Sequence, residues 1–294
     1  MLRALQSLVR ELEQDRSLDE PDRLRQRIEA LDRLDAYLLD GQLPALGLQS
    51  IEAEIHQQAR ALYAKLERAN FELYQAIRHE IQRGAGPDSL LRWVPGKSGR
   101  CEDAVSLPND ESYDYLDDLV SGVLQFENPD PGVAPLAAEM VFYQPTPARH
   151  IFDLIGRTAL TERDVLVDLG SGLGHVPLLA SICTGARGIG IELEAAYVEC
   201  ARRSAESLNL NNVTFIQQDA RAADLSGGTL FYLYTPFTGT ILRAVLDSLR
   251  RQAASREIRI CTFGPCTPTI AEQPWLETLG PSEVDRIAVF RSRI

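Results

Sequence analysis

Through the N-terminal part of the chain apolar residues recur three or four apart, and further on they switch to short continuous runs. Leu2, Leu5, Leu8, Val9 and Leu12 mark one amphipathic helix, and Leu24, Ile28, Leu31, Leu34 and Leu38 mark a second after a break near Pro21. A third and longer helix starts near Ser50, read as its N-cap, with Glu52 and Glu54 in its first turn. It carries Ile51, Ile55, Leu62, Leu66, Leu73, Ile77 and Ile81, and Gly84, Gly86 and Pro87 stop it. The heptad is irregular, which favours a small bundle over a free coiled coil. Leu90 to Glu111 reads as an irregular connection, Ser112 to Leu124 as a helix with Tyr115, Leu119, Val123 and Leu124 on one face, and Asn128 to Gly132 as a proline-bound loop. Glu139 to Ala148 is extended and enters a helix with Thr146 as N-cap, Pro147 in the first turn, and Ile151, Leu154, Ile155 and Ala159 as the packing face.

From Asp164 the pattern becomes that of a buried sheet. Val165, Leu166 and Val167 form a short apolar strand closed by Asp168, just before three alternating glycines, Gly170, Gly172 and Gly174. Val176 to Cys183 then reads as a helix whose N-terminal amides face whatever the glycine turn approaches. Further strands are predicted at Gly188 to Glu192, at Val213 to Ala220 with Asp219 near its end, and at Leu230 to Phe237, broken by Pro236. Thr240 to Arg251 is an amphipathic helix, Glu257 to Phe263 a fifth strand, and Trp275 to Leu279 with Arg286 to Arg291 a closing pair around Gly280 and Pro281. The expected fold class is α/β, a doubly wound and mostly parallel sheet with a C-terminal antiparallel hairpin, preceded by an α-helical N-terminal domain. The expected division is 1–90 helical, 91–142 a connecting and entrance segment, and 143–294 the sheet domain.

Composition narrows the function. The chain has 294 residues and 45% hydrophobic content, enough for a sizeable core. The net charge of −12 disfavours a broad nucleic-acid-binding face. Acid is concentrated between Leu91 and His150, where only Arg92, Lys97, Arg100 and Arg149 oppose it, either as a solvated face or as an attraction for a basic substrate. No run is long enough to span a membrane and no secretory signal is seen, so a cytoplasmic location is expected. Cys101, Cys183, Cys200, Cys261 and Cys266 include no C-x-x-C and read as free thiols. His56 and His79 lie too far apart on their helix to share an ion, and no metal is expected.

The glycine turn could serve a nicotinamide cofactor, whose fingerprint is G-x-G-x-x-G. Counted from Gly170, the sixth position is His175 and the glycines alternate instead. Asp168 ahead of the turn also suits a cationic amino-acid cofactor better than a pyrophosphate. The segment Asp168-Leu-Gly-Ser-Gly-Leu-Gly, an acid ending the second strand at Glu192, another at Asp219 and the loop Tyr234-Thr235-Pro236-Phe237 together resemble the class I S-adenosyl-L-methionine-dependent methyltransferases. The resemblance covers Tyr143 to Ile294. It implies that Asp168 lies near the cofactor's ammonium, that Gly170, Ser171, Gly172 and Gly174 allow backbone approach, that Glu192 meets the ribose hydroxyls, and that Asp219 with Ala220 meets the adenine edge.

The Tyr-x-Pro-Thr-Pro segment resembles one that lies over the cofactor in several bacterial relatives, which would place Tyr143 and Thr146 there. The glycine-turn opening and that segment are also similar to the non-SET histone-lysine methyltransferases, where His175 has a glutamine as counterpart; His175 either touches the cofactor or packs at the helix start. Tyr143, Tyr234 and Thr235 are the candidates for the acceptor side. Where amino-methylating relatives have Asn or Asp, this chain has Thr235, a weaker acceptor. Three functions remain: a methyltransferase acting on a protein or small molecule, which is the leading one, a cofactor-binding scaffold without chemistry, and a nucleic-acid methyltransferase. The N-terminal helices also offer a surface for oligomers.

Overall fold

The structure, a computed structural model, describes residues 2–38, 50–95, 113–127, 139, 141 and 143–293. The loop at 128–132, most of the 90–111 connection, Phe142 and Cys101 lie outside the described residues. The chain divides into two compact units, Met1–Ile77 and Arg78–Ile294.

The first unit contains α1 (Leu2–Gln14), α2 (Leu24–Leu38) and most of α3 (Ser50–Gln82). The predicted apolar stripes form its core, with Leu5, Leu8, Val9 and Leu12 packed against Leu34, Ile55, Leu62 and Leu66. Sequence periodicity misses Arg27, which is 1% exposed. Its guanidinium donates to Asn70 Oδ1 at 2.6 Å and to the Glu20 carbonyl at 2.6 Å, so a buried charge serves the carbonyls of the α1–α2 connection.

In the second unit, the Gly and Pro residues that stop α3 also start α4 (Pro87–Leu91), with Gly86 as N-cap and Pro87 at the first position. The irregular connection expected from Leu90 therefore begins later. The next helix, α5 (Tyr115–Leu124), starts three residues after the predicted Ser112, because Asp114 and Asp117 form a capping box there. In α6 (Ala148–Thr158) the N-cap is Pro147, not Thr146. Ala159 does not pack either: it is exposed and ends the helix at φ 47°, while Leu160 is buried instead.

The sheet comprises β1 (Val165–Leu169), β2 (Arg187–Glu192), β3 (Val213–Gln217), β4 (Leu230–Leu233), β5 (Arg259–Thr262), β6 (Leu276–Thr278) and β7 (Ala288–Ser292). Its order is β3-β2-β1-β4-β5-β7-β6, with the first five strands parallel and β7 antiparallel to both neighbours. The connecting helices are α7 (His175–Thr184) after β1, α8 (Ala195–Ser207) after β2, α9 (Gly239–Ala253) after β4 and the short α10 (Thr267–Ala271) after β5. Chain order reverses between β1 and β4, and at such a switch point the strand ends diverge to leave a crevice. Side chains alternate across the sheet. Val165, Val167 and Leu169 of β1, with Phe231 and Leu233 of β4, join Leu242, Val245, Leu246 and Leu249 of α9 in one core. Leu166, Asp168 and Tyr232 consequently share the opposite face.

Candidate functional site

At the C-terminal ends of β1, β2 and β4 lies a cavity of about 710 Å³, within the usual range of ligand sites. Of the residues singled out in the sequence, Tyr143, Thr146, Asp168, Gly170, Ser171, His175, Glu192, Asp219, Ala220, Tyr234 and Thr235 line it. Gly172 and Gly174 do not. Gly172 has φ 51° and a Cβ there would meet Tyr143 Cε2 at 2.0 Å; on Gly174, at φ 85°, it would meet Phe215 Cε1 at 2.4 Å. These two positions demand glycine because aromatic rings press on the turn.

The turn is fastened to β2. The Gly170 and Ser171 amides donate to the Ile191 carbonyl at 2.8 and 3.0 Å, and Gly172 N–H donates to Glu192 Oε2 at 2.8 Å. Glu192 Oε1 accepts from the Leu193 and Glu194 amides at 2.7 and 3.0 Å. A carboxylate offers about four acceptor positions, so one remains on Oε2. Asp168 is the contrasting acid: it is 4% exposed, and no hydrogen bond among the described residues reaches its carboxyl. Burial, and then the charge of Glu192, raise its pKa well above the ordinary value. Ser171 Oγ is buried with no hydrogen-bond partner among the described residues. Buried polar atoms left this way mark a place where a polar ligand fits.

Asp219 caps a 3₁₀ turn over Ala220–Ala222 and is gripped by the Arg221 guanidinium at 2.6 Å, which lowers its pKa. The pair is exposed, so a ligand can exchange for it cheaply.

A strap of residues 143–147 forms the far wall. The half-buried Tyr143 ring lies over Gly172 and 5.0 Å from the Tyr197 ring, and its hydroxyl is 3.3 Å from His175 Nδ1. Burial pushes the His175 imidazole down to about 4, so it is neutral at physiological pH, and Phe126 covers it at 4.6 Å. The Thr146 hydroxyl pairs with the buried Tyr232 hydroxyl at 2.9 Å in place of capping α6. Sequence reading missed Tyr232 and Tyr197, since one sits inside an apolar strand and the other on an unremarked helix.

The loop after β4 closes the remaining side. Thr235 has φ 40°, rare for a β-branched residue. Its Oγ accepts from Cys266 N–H at 3.0 Å and donates to the Phe263 carbonyl at 3.3 Å. The hydroxyl thus ties the loop to the β5–α10 connection and keeps one acceptor position open. Pro236 presses on Gly170, where a Cβ would meet it at 2.2 Å. Charge is segregated around the cavity: Asp168, Glu192, Glu194, Asp219 and Arg221 stand at the ends of β1 to β3, while the described lining from the strap and from the ends of β4 and β5 carries none.

Residues 139–220 match the family described as "Histone methylation protein DOT1". No curated protein matches the chain. Similar solved structures include an RNA methyltransferase from Salinibacter ruber in complex with S-adenosyl-L-homocysteine, 27% identical, with 51% of this chain and 92% of that one covered and a TM-score of 0.42. Others are a precorrin-6y C5,15-methyltransferase from Geobacter metallireducens (17% identity, 54% and 93% covered, TM-score 0.40) and a methyltransferase from Aquifex aeolicus (16%, 48% and 87%, TM-score 0.39). The strand order with its antiparallel β7, and the match across the strap, the glycine turn and β2, give this chain the class I methyltransferase fold that its sequence resembles.

Proposed function

We propose that the chain binds S-adenosyl-L-methionine in this cavity and methylates a protein or small-molecule acceptor. The observation that carries the proposal is Asp168, a buried carboxyl facing the cavity with no cation or hydrogen-bond donor assigned to it among the described residues. An ammonium placed there satisfies it, and no neutral or anionic ligand does so as well. The free position on Glu192 suits a ribose hydroxyl, and Asp219 with Ala220 stands where an adenine edge reaches. When bound, the cofactor supplies a methyl group on a sulfonium, already activated for displacement.

What the chain itself must do is align the reactants and exclude water. Tyr143 and Tyr197 on one side and Tyr234, Pro236 and Phe237 on the other make an uncharged wall for the acceptor. An amine brought into such a wall loses solvation of its charged form and is easier to deprotonate, which suits a wall made of tyrosine, proline and phenylalanine side chains. Among the described lining residues a phosphate-rich acceptor would find one cation, Arg221, already paired with Asp219. Thr235 favours a second reading, a binding scaffold without transfer, because its only proton is donated to the Phe263 carbonyl and a hydroxyl is a weaker acceptor than the Asn or Asp of amino-methylating enzymes.

Calorimetry with S-adenosyl-L-methionine and S-adenosyl-L-homocysteine tests the cofactor. Both should bind, and Glu192→Ala should weaken them by roughly 1.5–3 kcal/mol through the lost charged acceptor. Absence of binding by the full chain would end the proposal. Transfer of labelled methyl to cell extract then separates enzyme from scaffold, and protease or ribonuclease treatment of the labelled product identifies the acceptor class.

A further inference from the structure

The strap that carries Tyr143 ends where α6 begins, and its anchorage comes from another helix. Pro147 leaves the start of α6 without a side-chain cap of its own. Asp117, in the first turn of α5, supplies the missing acceptor: its Oδ1 receives the Ala148 N–H at 2.8 Å. Its Oδ2 receives the Asp114 N–H at 2.7 Å and completes the capping box of α5. One carboxylate therefore serves the N-termini of two helices, both of which present positive dipole ends to it. Around it, Arg149 Nη2 lies 3.0 Å from Asp114 Oδ2 with both side chains largely buried. The Tyr113 hydroxyl donates to the Pro145 carbonyl at 2.9 Å, inside the strap itself.

We infer that Asp117 is a positioning residue for the cofactor site, fixing through Ala148 where the strap leaves the cavity and so holding Tyr143 against the glycine turn. Tyr113 makes the second attachment of the same clamp. An ordinary helix cap would stabilise α6 and leave the cavity alone. Here the capped amide lies two residues from Thr146 and five from Tyr143, and both of those side chains are fixed at their far ends, on Tyr232 and over Gly172. Releasing Ala148 frees the strap to slide. The inference rests on the cofactor reading of the cavity.

The test is a double-mutant cycle on the full chain, titrated with S-adenosyl-L-homocysteine by calorimetry. Asp117→Ala should raise Kd about tenfold and Tyr113→Phe about threefold, the scale of one charge-assisted and one neutral hydrogen bond. In a Tyr143→Ala background both losses should shrink to within about twofold, because the residue they act through is gone. Losses that simply add in that background would overturn the inference, as would unchanged affinity in both single variants. Failure of the unsubstituted chain to bind would instead remove the cofactor reading, and this inference with it. A second readout needs no ligand: amide exchange at Tyr143, Gln144 and Thr146 should be faster in both variants, and unchanged exchange counts against the clamp. If Asp117→Ala does not fold, Tyr113→Phe, altered at an exposed side chain, decides the matter alone.

Discussion

Asp168 sits where its own ionisation is disfavoured. Glu192 repels a second charge, the Tyr232 hydroxyl on the neighbouring strand is engaged with Thr146, and His175 is neutral. Its pKa is therefore raised in the folded state, first by burial and then by Glu192. Below about pH 3.8, the ordinary aspartate value, both folded and unfolded chains hold this proton and Asp168 adds no pH dependence. Above it the unfolded chain ionises first, so the native state binds more protons and stability falls with rising pH until the folded pKa is passed. Asp168→Asn should thus melt higher than the unsubstituted protein at neutral pH, and the gap should close as the pH falls towards 4. The same variant should bind S-adenosyl-L-homocysteine at least about tenfold more weakly, the loss expected for a buried charged pair. A melting series from pH 4 to 8 with parallel calorimetry checks both; a variant less stable than the parent at neutral pH would contradict the argument.

Among the elements, the loop after β4 owes its shape to two backbone contacts of one hydroxyl. Thr235→Val keeps the volume but leaves the buried Cys266 N–H without an acceptor, at a cost of about 1–3 kcal/mol. Thr235→Ser keeps the hydroxyl and should cost less than about 1 kcal/mol. Urea unfolding of the two variants distinguishes this role from one in the acceptor site, where the valine variant would lose turnover at unchanged stability. The loop also shows what a sequence can disclose. β1, the glycine turn, the acid closing β2 and the acid following β3 were legible because an apolar run, a positive φ and a strand end each leave a local mark. Thr146 joined to Tyr232, Asp117 capping α6, and Glu139 capping α9 through the Thr240 and Ile241 amides were not. Each joins distant residues whose identities are ordinary in their own surroundings. Pro147 invited the assignment of Thr146 as a cap, and a better acceptor from elsewhere displaced it.

For the molecule as a whole, the boundary between its units falls inside α3. A cut at residue 90, where the sequence suggests one, would remove Arg78 and Gln82. Arg78 donates to the Val123 carbonyl and to Ser207 Oγ, joining the C-terminal ends of α5 and α8, and Gln82 donates to the Ser207 carbonyl at 2.7 Å at the end of α8. We place the better cut before Arg78. A chain of 78–294 should keep cofactor affinity within about threefold of the full protein, whereas 91–294 should lose about 2–4 kcal/mol, a fall in melting temperature of several degrees. Scanning calorimetry of the two fragments tests this, and equal melting points would refute it.

The antiparallel strand β7 has a further consequence, for the time at which the sheet can form. β1 to β5 are joined by successive connections ahead of β7 in the chain, and the outer edge of β5 acquires its neighbour only with residues 288–292. Until then a row of main-chain donors and acceptors, flanked by the apolar Ile260 and Cys261, stands open. A nascent chain held at that stage is prone to pair with another of its kind, and its safe folding depends on how quickly the last strand is delivered.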